Sequence, residues 1–426
     1  MVAPSSYGAL SATSANTIQG SRPGFTGQSG AKKLGFKIGN TTYSESEGNL
    51  SPSSSGVINY LNAGLSLNEF KVMNLTASDF NPANDYADAD GDLAHPTAAF
   101  SMSPRTFEWK DRTGATISTS DYNKTLGCGS NLKLPLTLRI TLPNVKVKSR
   151  YGNPSESIPT ELVKEYKIGT ESGICFAQPN AMKVDPSYNW IGVTNSVGTS
   201  WSWNGGSITP HQNNGGGYDP AQFDPTWGFK ASLSTKFPTT GFPKASFYLI
   251  MTSNSTDYTF THNGGSAVTI GTDGKVTLNS KPSGPVTITA KFNGTSQAHT
   301  YTFDPRTVWV VPKPANRTYA QAKTTCGGES KIPTLAQLTN SPRKTAPQNW
   351  SWIENYYTRK VDGSVFGEWG WTSSTNYPGS QWYSGSYDYY WTRGPWSTGS
   401  QFCATSYDGT VHYTYTSYSN YVACLE

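Results

Sequence analysis

Charge is scarce in this 426-residue chain: Asp, Glu, Lys and Arg make up 14%, and the formal net charge is only +5. Nucleic-acid binding needs a concentrated basic face, and no basic run supplies one. The stretch Lys146-Val147-Lys148-Ser149-Arg150 alternates charge with apolar or small residues, as a half-exposed strand does. No apolar run approaches the ~18 to 20 residues of a membrane helix. The N-terminus lacks the charged and apolar regions of a signal peptide. Cysteine is limited to Cys128, Cys175, Cys326, Cys403 and Cys424. None forms a CxxC pair and no histidine stands at ligand spacing, so zinc is not expected. Catalytic signatures are missing as well: there is no Gly-x-Ser-x-Gly, no His-Glu-x-x-His and no phosphate loop. The five histidines (His95, His211, His262, His299 and His412) are scattered. No carboxylate pair stands in a recognisable glycosidase motif. The chain is expected not to be an enzyme.

What is abundant is Gly (42), Pro (27), Ser, Thr and aromatic residues (13%). That mix suits short strands, many turns and polar outward faces, so the expected fold class is mostly β. The length implies two to four domains. Widely spaced cysteines in such a chain fit disulfides in an oxidising compartment. The expected pairs are Cys128–Cys175 and Cys326–Cys424, with Cys403 left over and its pairing with Cys326 or Cys424 open. Disulfides without an export signal point to a piece of a longer protein.

Residues 1–32 are weakly apolar and read as a flexible lead-in. Leu34-Gly35-Phe36-Lys37-Ile38, then Gly39-Asn40, then Thr41-Thr42-Tyr43 reads as strand, turn and return strand. Leu136 to Leu142 alternates over seven residues, and the alternation resumes at Val145 after Pro143 and Asn144. Phe247 to Met251 is a continuous apolar run, expected to be buried on both faces. The tract from Asn189 to Phe242 has little periodicity and reads as long ordered loops. Residues 33–245 are therefore expected to form one large, loop-rich β domain. From 246 to 305, short alternating strands recur near every ten residues between Gly, Asn, Asp and Pro turns, the pattern of a β-sandwich. In 306–426, Thr318 to Cys326 has helical character closed by Gly327-Gly328, and Thr334 is a cap for a second short helix.

Two resemblances follow from these residues. The segment Ser266-Ala267-Val268 through Lys275-Val276-Thr277-Leu278 to Val286-Thr287-Ile288-Thr289-Ala290 resembles the bacterial immunoglobulin-like repeats of surface adhesins. The C-terminal 120 or so residues resemble the C-type lectin-like domain. That likeness rests on Tyr319-Ala320-Gln321-Ala322 leading to Cys326, then Lys331 to Leu338, Trp369-Gly370-Trp371, Cys403 and Val422-Ala423-Cys424. It implies an α+β domain with a Cys326–Cys424 bond. The calcium–sugar tripeptides and the Trp-Asn-Asp motif of calcium-dependent members are missing from 306–426, so the usual chelate cannot form. A lone Gln-Pro-Asn, Gln178 to Asn180, lies in the earlier β domain and reads as a turn. The order of modules, ending in Ala423-Cys424-Leu425-Glu426, resembles the intimin and invasin type of bacterial outer-membrane adhesin. The 33–245 block resembles the adhesion domain of that group. The resemblance implies an extracellular chain displayed on the outer membrane, attached only through an N-terminal anchor outside this sequence. The implied partner is a host-cell surface protein or glycan receptor, and a monomer is expected.

Two sets of residues are candidates for binding. The aromatic tract between Cys326 and Cys424 is too dense to be all surface. Trp352, Trp369 and Trp371 are expected in the core. Tyr383, Tyr387, Tyr389, Tyr390, Trp391, Arg393 and Trp396 lie in a Gly/Ser/Tyr-rich stretch and are the candidate contact residues, since Tyr, Trp and Arg dominate binding hot spots. The second set is Asp88, Asp90 and Asp92. Alternate carboxylates with Gly91 offer hard oxygens and a tight turn for calcium. Thr97 stands where an EF-hand needs Glu, which leaves an irregular calcium loop or a solvated acidic loop. No other cofactor is expected. The alternatives to a receptor-binding adhesin are a carbohydrate-binding adhesin working by aromatic stacking and a non-binding structural stalk end.

Overall fold

The structure is a computed structural model that describes residues 20–47, 57–60, 65–128, 130, 132–170, 172–184, 189–193, 200–204, 216–293, 296–341, 356–385 and 388–426. It divides into two compact units, Met1–Thr170 and Glu171–Glu426, and it is mostly β, as expected.

In the first unit the alternating sequence at Leu136 becomes the long strand Leu136–Val147. Leu136, Leu138, Ile140 and Leu142 are fully buried, and so are Val145 and Val147. The step from Leu142 to Val145 faces only the step from Leu162 to Thr160 on the neighbouring antiparallel strand. That extra residue is a β-bulge, which resets the alternation so that both halves face the core. Asn144 accommodates it with a left-handed φ of 56°, a conformation Asn tolerates better than most residues. Thr106–Lys110 and Phe100–Ser101 pair on the other edge. The hairpin Phe36–Ile38 with Thr41–Tyr43 forms as read, with Gly39 in the left-handed region at its turn. Trp109 packs edge-on against Phe70 at 5.2 Å in this core.

The flexible lead-in is corrected for its described part. Gly24–Phe25 pairs with Tyr86–Ala87, and Gln28–Lys33 is a short helix. Phe25 accounts for the order, since its ring packs against Phe80 and Phe100 at 5.7 and 6.5 Å. Residues 1–19 lie outside the described residues.

The second unit begins with a sandwich. One sheet runs in the order Phe223–Asp224, Gly228–Lys230, Ile174–Pro179, Ala245–Met251, Lys275–Leu278, Val268–Ile270. A three-stranded sheet, Tyr258–His262, Val286–Phe292 and Ala298–Phe303, completes it. The boundary expected at 245/246 falls inside the first sheet, because Ile174–Pro179 pairs directly with Ala245–Met251. The strand Ala245–Met251 is also not buried on both faces. Phe247, Leu249 and Met251 face the core while Tyr248 and Ile250 are half-buried.

A further sheet builds the C-terminal part, in the order Thr240–Gly241, Val308–Arg317, Asn420–Leu425, Tyr389–Ser397, Ser400–Thr405, Val411–Tyr415. The helix Tyr319–Cys326 forms with a capping box from Thr318 and Gln321, and its C-cap Gly327 is left-handed. Cys326 bonds Cys424, closing this part onto its own last strand. Cys128 and Cys175 are both disulfide-bonded, and Cys403 is a free, buried thiol.

One apolar core runs without a break from the sandwich into the C-terminal part. Phe237 and Phe247 meet Trp369 at 4.8 and 6.3 Å. Phe242 touches Trp369, Tyr377 and Trp382, all edge-on. At roughly 2 kcal/mol for each large side chain buried, this shared core is the main force joining the two halves of the unit. Polar groups then fix the register. The buried Glu368 carboxylate accepts the backbone N–H of Thr239 and Thr240 at 2.8 and 3.0 Å and that of Gly363 at 3.2 Å. It also accepts both threonine hydroxyls. Burial pushes its carboxyl upward, and the Thr239 and Thr240 donors pull it back. Arg359 is equally buried and donates to the carbonyls of Ala181, Lys183 and Glu368 at 2.9 to 3.1 Å.

Candidate binding surface

The strand Tyr389–Ser397 changes character along its length. Tyr390, Trp391 and Thr392 are buried, whereas Arg393, Pro395 and Ser397 are exposed. Register shifts between Trp391 and Pro395 and again before Ser397 loosen its pairing with Ser400–Thr405. Gly394, at φ 145°, and Pro395 sit at this break. Bulges of this kind re-aim side chains at sheet ends. Beyond it, Trp396 lies flat against Tyr413 at 4.9 Å with 7° between the rings, and edge-on to Phe402 at 5.4 Å.

Tyr413 pairs across to Phe402, and Tyr415 to Ser400. Their strand, Val411–Tyr415, is the outer strand of the sheet. Its side chains alternate, so Tyr413 and Tyr415 both point outward at 40% and 55% exposure. Tyr418, at 62%, meets Tyr415 edge-on at 5.8 Å. Trp396, Phe402, Tyr413, Tyr415 and Tyr418 thus form one aromatic strip at the far side of the sheet. Packed rings on a strand pair have little rotamer freedom left to lose, which favours binding through them.

The sequence candidates are distributed unevenly over this surface. Trp396 is half-buried within the strip. Tyr383 is 41% exposed but stacks on Tyr421 at 4.5 Å, away from Trp396's neighbours. Tyr389 is half-buried and meets His412 edge-on at 4.9 Å. Arg393 is exposed, held by its backbone N–H to Pro333 O and by Nη1 to Ser330 O at 3.4 Å. Tyr390 and Trp391 are corrected: both are fully buried. Tyr390 packs on Trp382 at 4.8 Å, and Trp391 packs against Tyr319 of the helix Tyr319–Cys326, its Nε1 donating to Arg317 O. Tyr387, Trp350 and Trp352 lie outside the described residues. Trp369 is core as expected, while Trp371 is only half-buried beside Tyr407. The sequence reading missed Phe402, Tyr413, Tyr415 and Tyr418. The every-second-residue spacing of Tyr413 and Tyr415 was the signal that could have found the middle pair.

The acidic loop does not assemble a metal site. Among the described residues no group of three acidic, histidine or cysteine side chains is placed to hold an ion. Asp88 Oδ1 accepts the backbone N–H of Asp90 at 2.9 Å, and the Asp90 carboxylate accepts both the backbone and hydroxyl of Ser21. The Asp88 and Asp90 carboxylates brace the turn, and Asp88, Asp90 and Asp92 do not converge as the calcium reading requires.

Residues 221–303 match the family model for invasin, domain 4. That match bears out the resemblance to intimin and invasin adhesins drawn from the sequence. Among solved structures, invasin, described as a bacterial integrin-binding protein, is 16% identical with a TM-score of 0.39, covering 80% of this chain and 53% of its own. The chain thus spans about half the length of that invasin structure. A C-terminal 282-residue intimin fragment, solved with the intimin-binding domain of the translocated intimin receptor, is 15% identical with a TM-score of 0.34, covering 81% of this chain and 95% of its own. An intimin mutant from EHEC O157:H7 is 19% identical with a TM-score of 0.32, covering 45% and 89%. No curated protein matches the chain.

Proposed function

We propose that this chain is the extracellular tip of a bacterial surface adhesin that binds a host-cell receptor through the aromatic strip. The observation that carries this reading is the strip itself: five neighbouring rings on the three outer strands and the turn that follows them, three of the rings at least 40% exposed. Contiguous exposed aromatics are uncommon on a monomer's surface and mark interaction sites. The invasin domain 4 match, which ends at residue 303, supports placing this surface in an adhesin. The shared core and the buried Glu368 and Arg359 make the sandwich a stiff mount for the strip. In this reading the C-terminal part is a C-type lectin-like domain that has given up calcium-dependent sugar chelation. The chain is a monomer, has no catalytic role, and is displayed on the outer membrane through an anchor outside this sequence.

Invasin is an integrin-binding protein and the intimin fragment was solved with the translocated intimin receptor; a host surface protein is the partner class proposed here. The test is competition. Labelled chain bound to epithelial cells should be displaced by unlabelled chain and lost after mild protease treatment of the cells. Loss after glycosidase treatment instead would favour the carbohydrate-binding alternative, with the strip as a stacking platform.

A further inference from the structure

Thr372, Asp388 and Ser406 belong to three separate segments, and all three are fully buried. Thr372 follows the helix Val365–Trp369, Asp388 leads into the strand Tyr389–Ser397, and Ser406 opens the turn between Ser400–Thr405 and Val411–Tyr415. That turn joins the strands that carry Phe402, Tyr413 and Tyr415.

Ser406 Oγ lies within hydrogen-bond distance of Thr372 O, at 3.0 Å, and of Asp388 Oδ2. A hydroxyl has one hydrogen, and a main-chain carbonyl can only accept. The Ser406 hydrogen therefore cannot serve both oxygens. Both contacts are hydrogen bonds only when the Asp388 carboxyl brings a hydrogen of its own. Its other oxygen, Oδ1, is buried and meets no donor at hydrogen-bond geometry among the described residues. A buried carboxylate needs donors on both oxygens, as Glu368 has from Thr239, Thr240 and Gly363. A neutral acid does not. Burial raises the Asp388 carboxyl to about 7, and the charge of Asp408 adds to the rise.

We propose that Asp388, Ser406 and Thr372 form a proton-operated latch on the hairpin Ser400–Tyr415. With Asp388 as the acid, its O–H donates to Ser406 Oγ and the Ser406 O–H donates to Thr372 O, so one chain ties the three segments. When Asp388 gives its proton to solvent, the Ser406 hydrogen turns to the carboxylate and Thr372 O is released. The hairpin is then held less firmly.

Other titratable or charged groups reach this region from several elements. Tyr390 is on the same strand and Tyr421 on the last strand; burial holds both phenols above their ordinary range, so they stay neutral. Asp408 lies in the Ser406 turn, where its carboxylate accepts the Thr405 and Thr410 hydroxyls and the Thr410 N–H. His412 reaches the same turn through Thr410 Oγ1 at 3.2 Å. Lys183 sits over the ring of Tyr407.

The test needs no receptor. Carboxyl NMR of the full chain with labelled aspartate should show one group titrating near pH ~7 that is missing in Asp388→Asn. Amide exchange, corrected for its intrinsic rate, then reads the latch at Thr405, Gly409 and Tyr377, whose N–H groups donate to Thr410 O, Thr405 O and Ser373 O. From about pH 5.5 to about pH 8.5 their protection should fall about fivefold, the weight of one buried hydrogen bond. Asp388→Asn keeps a donor at every pH and should stay flat and protected. Ser406→Ala should be flat and less protected, and His412→Gln should respond like the parent. Cooperative melts show that each variant is folded. An Asp388 carboxyl titrating near pH ~4 would overturn the proposal. So would protection that is equal at both pH values in the parent, or that still falls in Asp388→Asn.

Discussion

The carboxylate of Glu368 accepts the backbone N–H of Thr240 at 3.0 Å, and both residues are fully buried. Thr240 follows the sandwich's sheet strands at 223–230 in sequence, and Glu368 lies on the short helix Val365–Trp369 of the C-terminal part. Replacing Glu368 with Ala would leave the donors of Thr239, Thr240 and Gly363 unpaired, at about 1–3 kcal/mol for each buried group. The expected loss is at least ~3 kcal/mol in chemical denaturation. The second unit should still unfold in one transition, because its core is shared.

Gly370 ends that helix with a φ of 71°, and a Cβ there would stand 2.0 Å from Arg359 Nη1 and 2.9 Å from Ala181 O. Gly370→Ala should therefore be strongly destabilising, by ~3 kcal/mol or more through backbone strain and displacement of the buried guanidinium. Gly39→Ala, also left-handed but open to solvent, should lose only ~1 kcal/mol. Thermal melts of the two variants side by side check this ranking.

The Cys326–Cys424 bond spans 98 positions. Cys326→Ser with Cys424→Ser should lower stability by about 2–5 kcal/mol. Cys403 should not compensate. Burial pushes its thiol up to about 12, so it should resist alkylation in the folded chain and react only after unfolding. Mass spectrometry of iodoacetamide-treated protein reads both outcomes.

Asp388 titrates unusually. Desolvation by burial pushes its carboxyl up to about 7 from an ordinary 3.8, against the pull of the Ser406 hydroxyl it accepts. Below 3.8 it is protonated in both states. As pH rises towards about 7, the unfolded chain releases this proton while the folded chain keeps it, so this group's contribution to stability falls through that window. Asp388→Asn should remove that slope and be more stable than the parent above pH ~7, measured by denaturation at several pH values.

The sequence carried the fold where contrast between neighbours was high. Leu136–Val147 and the short strands from 258 to 303 alternate apolar with polar residues, and the helix Tyr319–Cys326 is closed in sequence by Gly327-Gly328. The pairing of Ile174–Pro179 with Ala245–Met251 was hidden, because the partners lie far apart and the intervening tract has no period. Glu368 and Arg359 were equally hidden, since charged residues ordinarily stay at the surface. In the aromatic tract the difficulty was the opposite. Tyr390 and Trp391 are core while Trp396 and Tyr413 form the strip, yet rings recur throughout the tract, and composition alone cannot tell the two apart.

The most direct test of the adhesin account is saturable binding of the labelled chain to cultured host epithelial cells, compared with Trp396→Ala, Tyr413→Ala and their double variant. Cutting the chain at Pro305 would open the shared core, so surface substitutions are the cleaner tool. The account predicts about tenfold weaker binding for each single variant and near-complete loss for the double, with each variant still folding cooperatively in thermal melts despite a modest fall in melting temperature. Saturable binding that is undiminished in the double variant would contradict it.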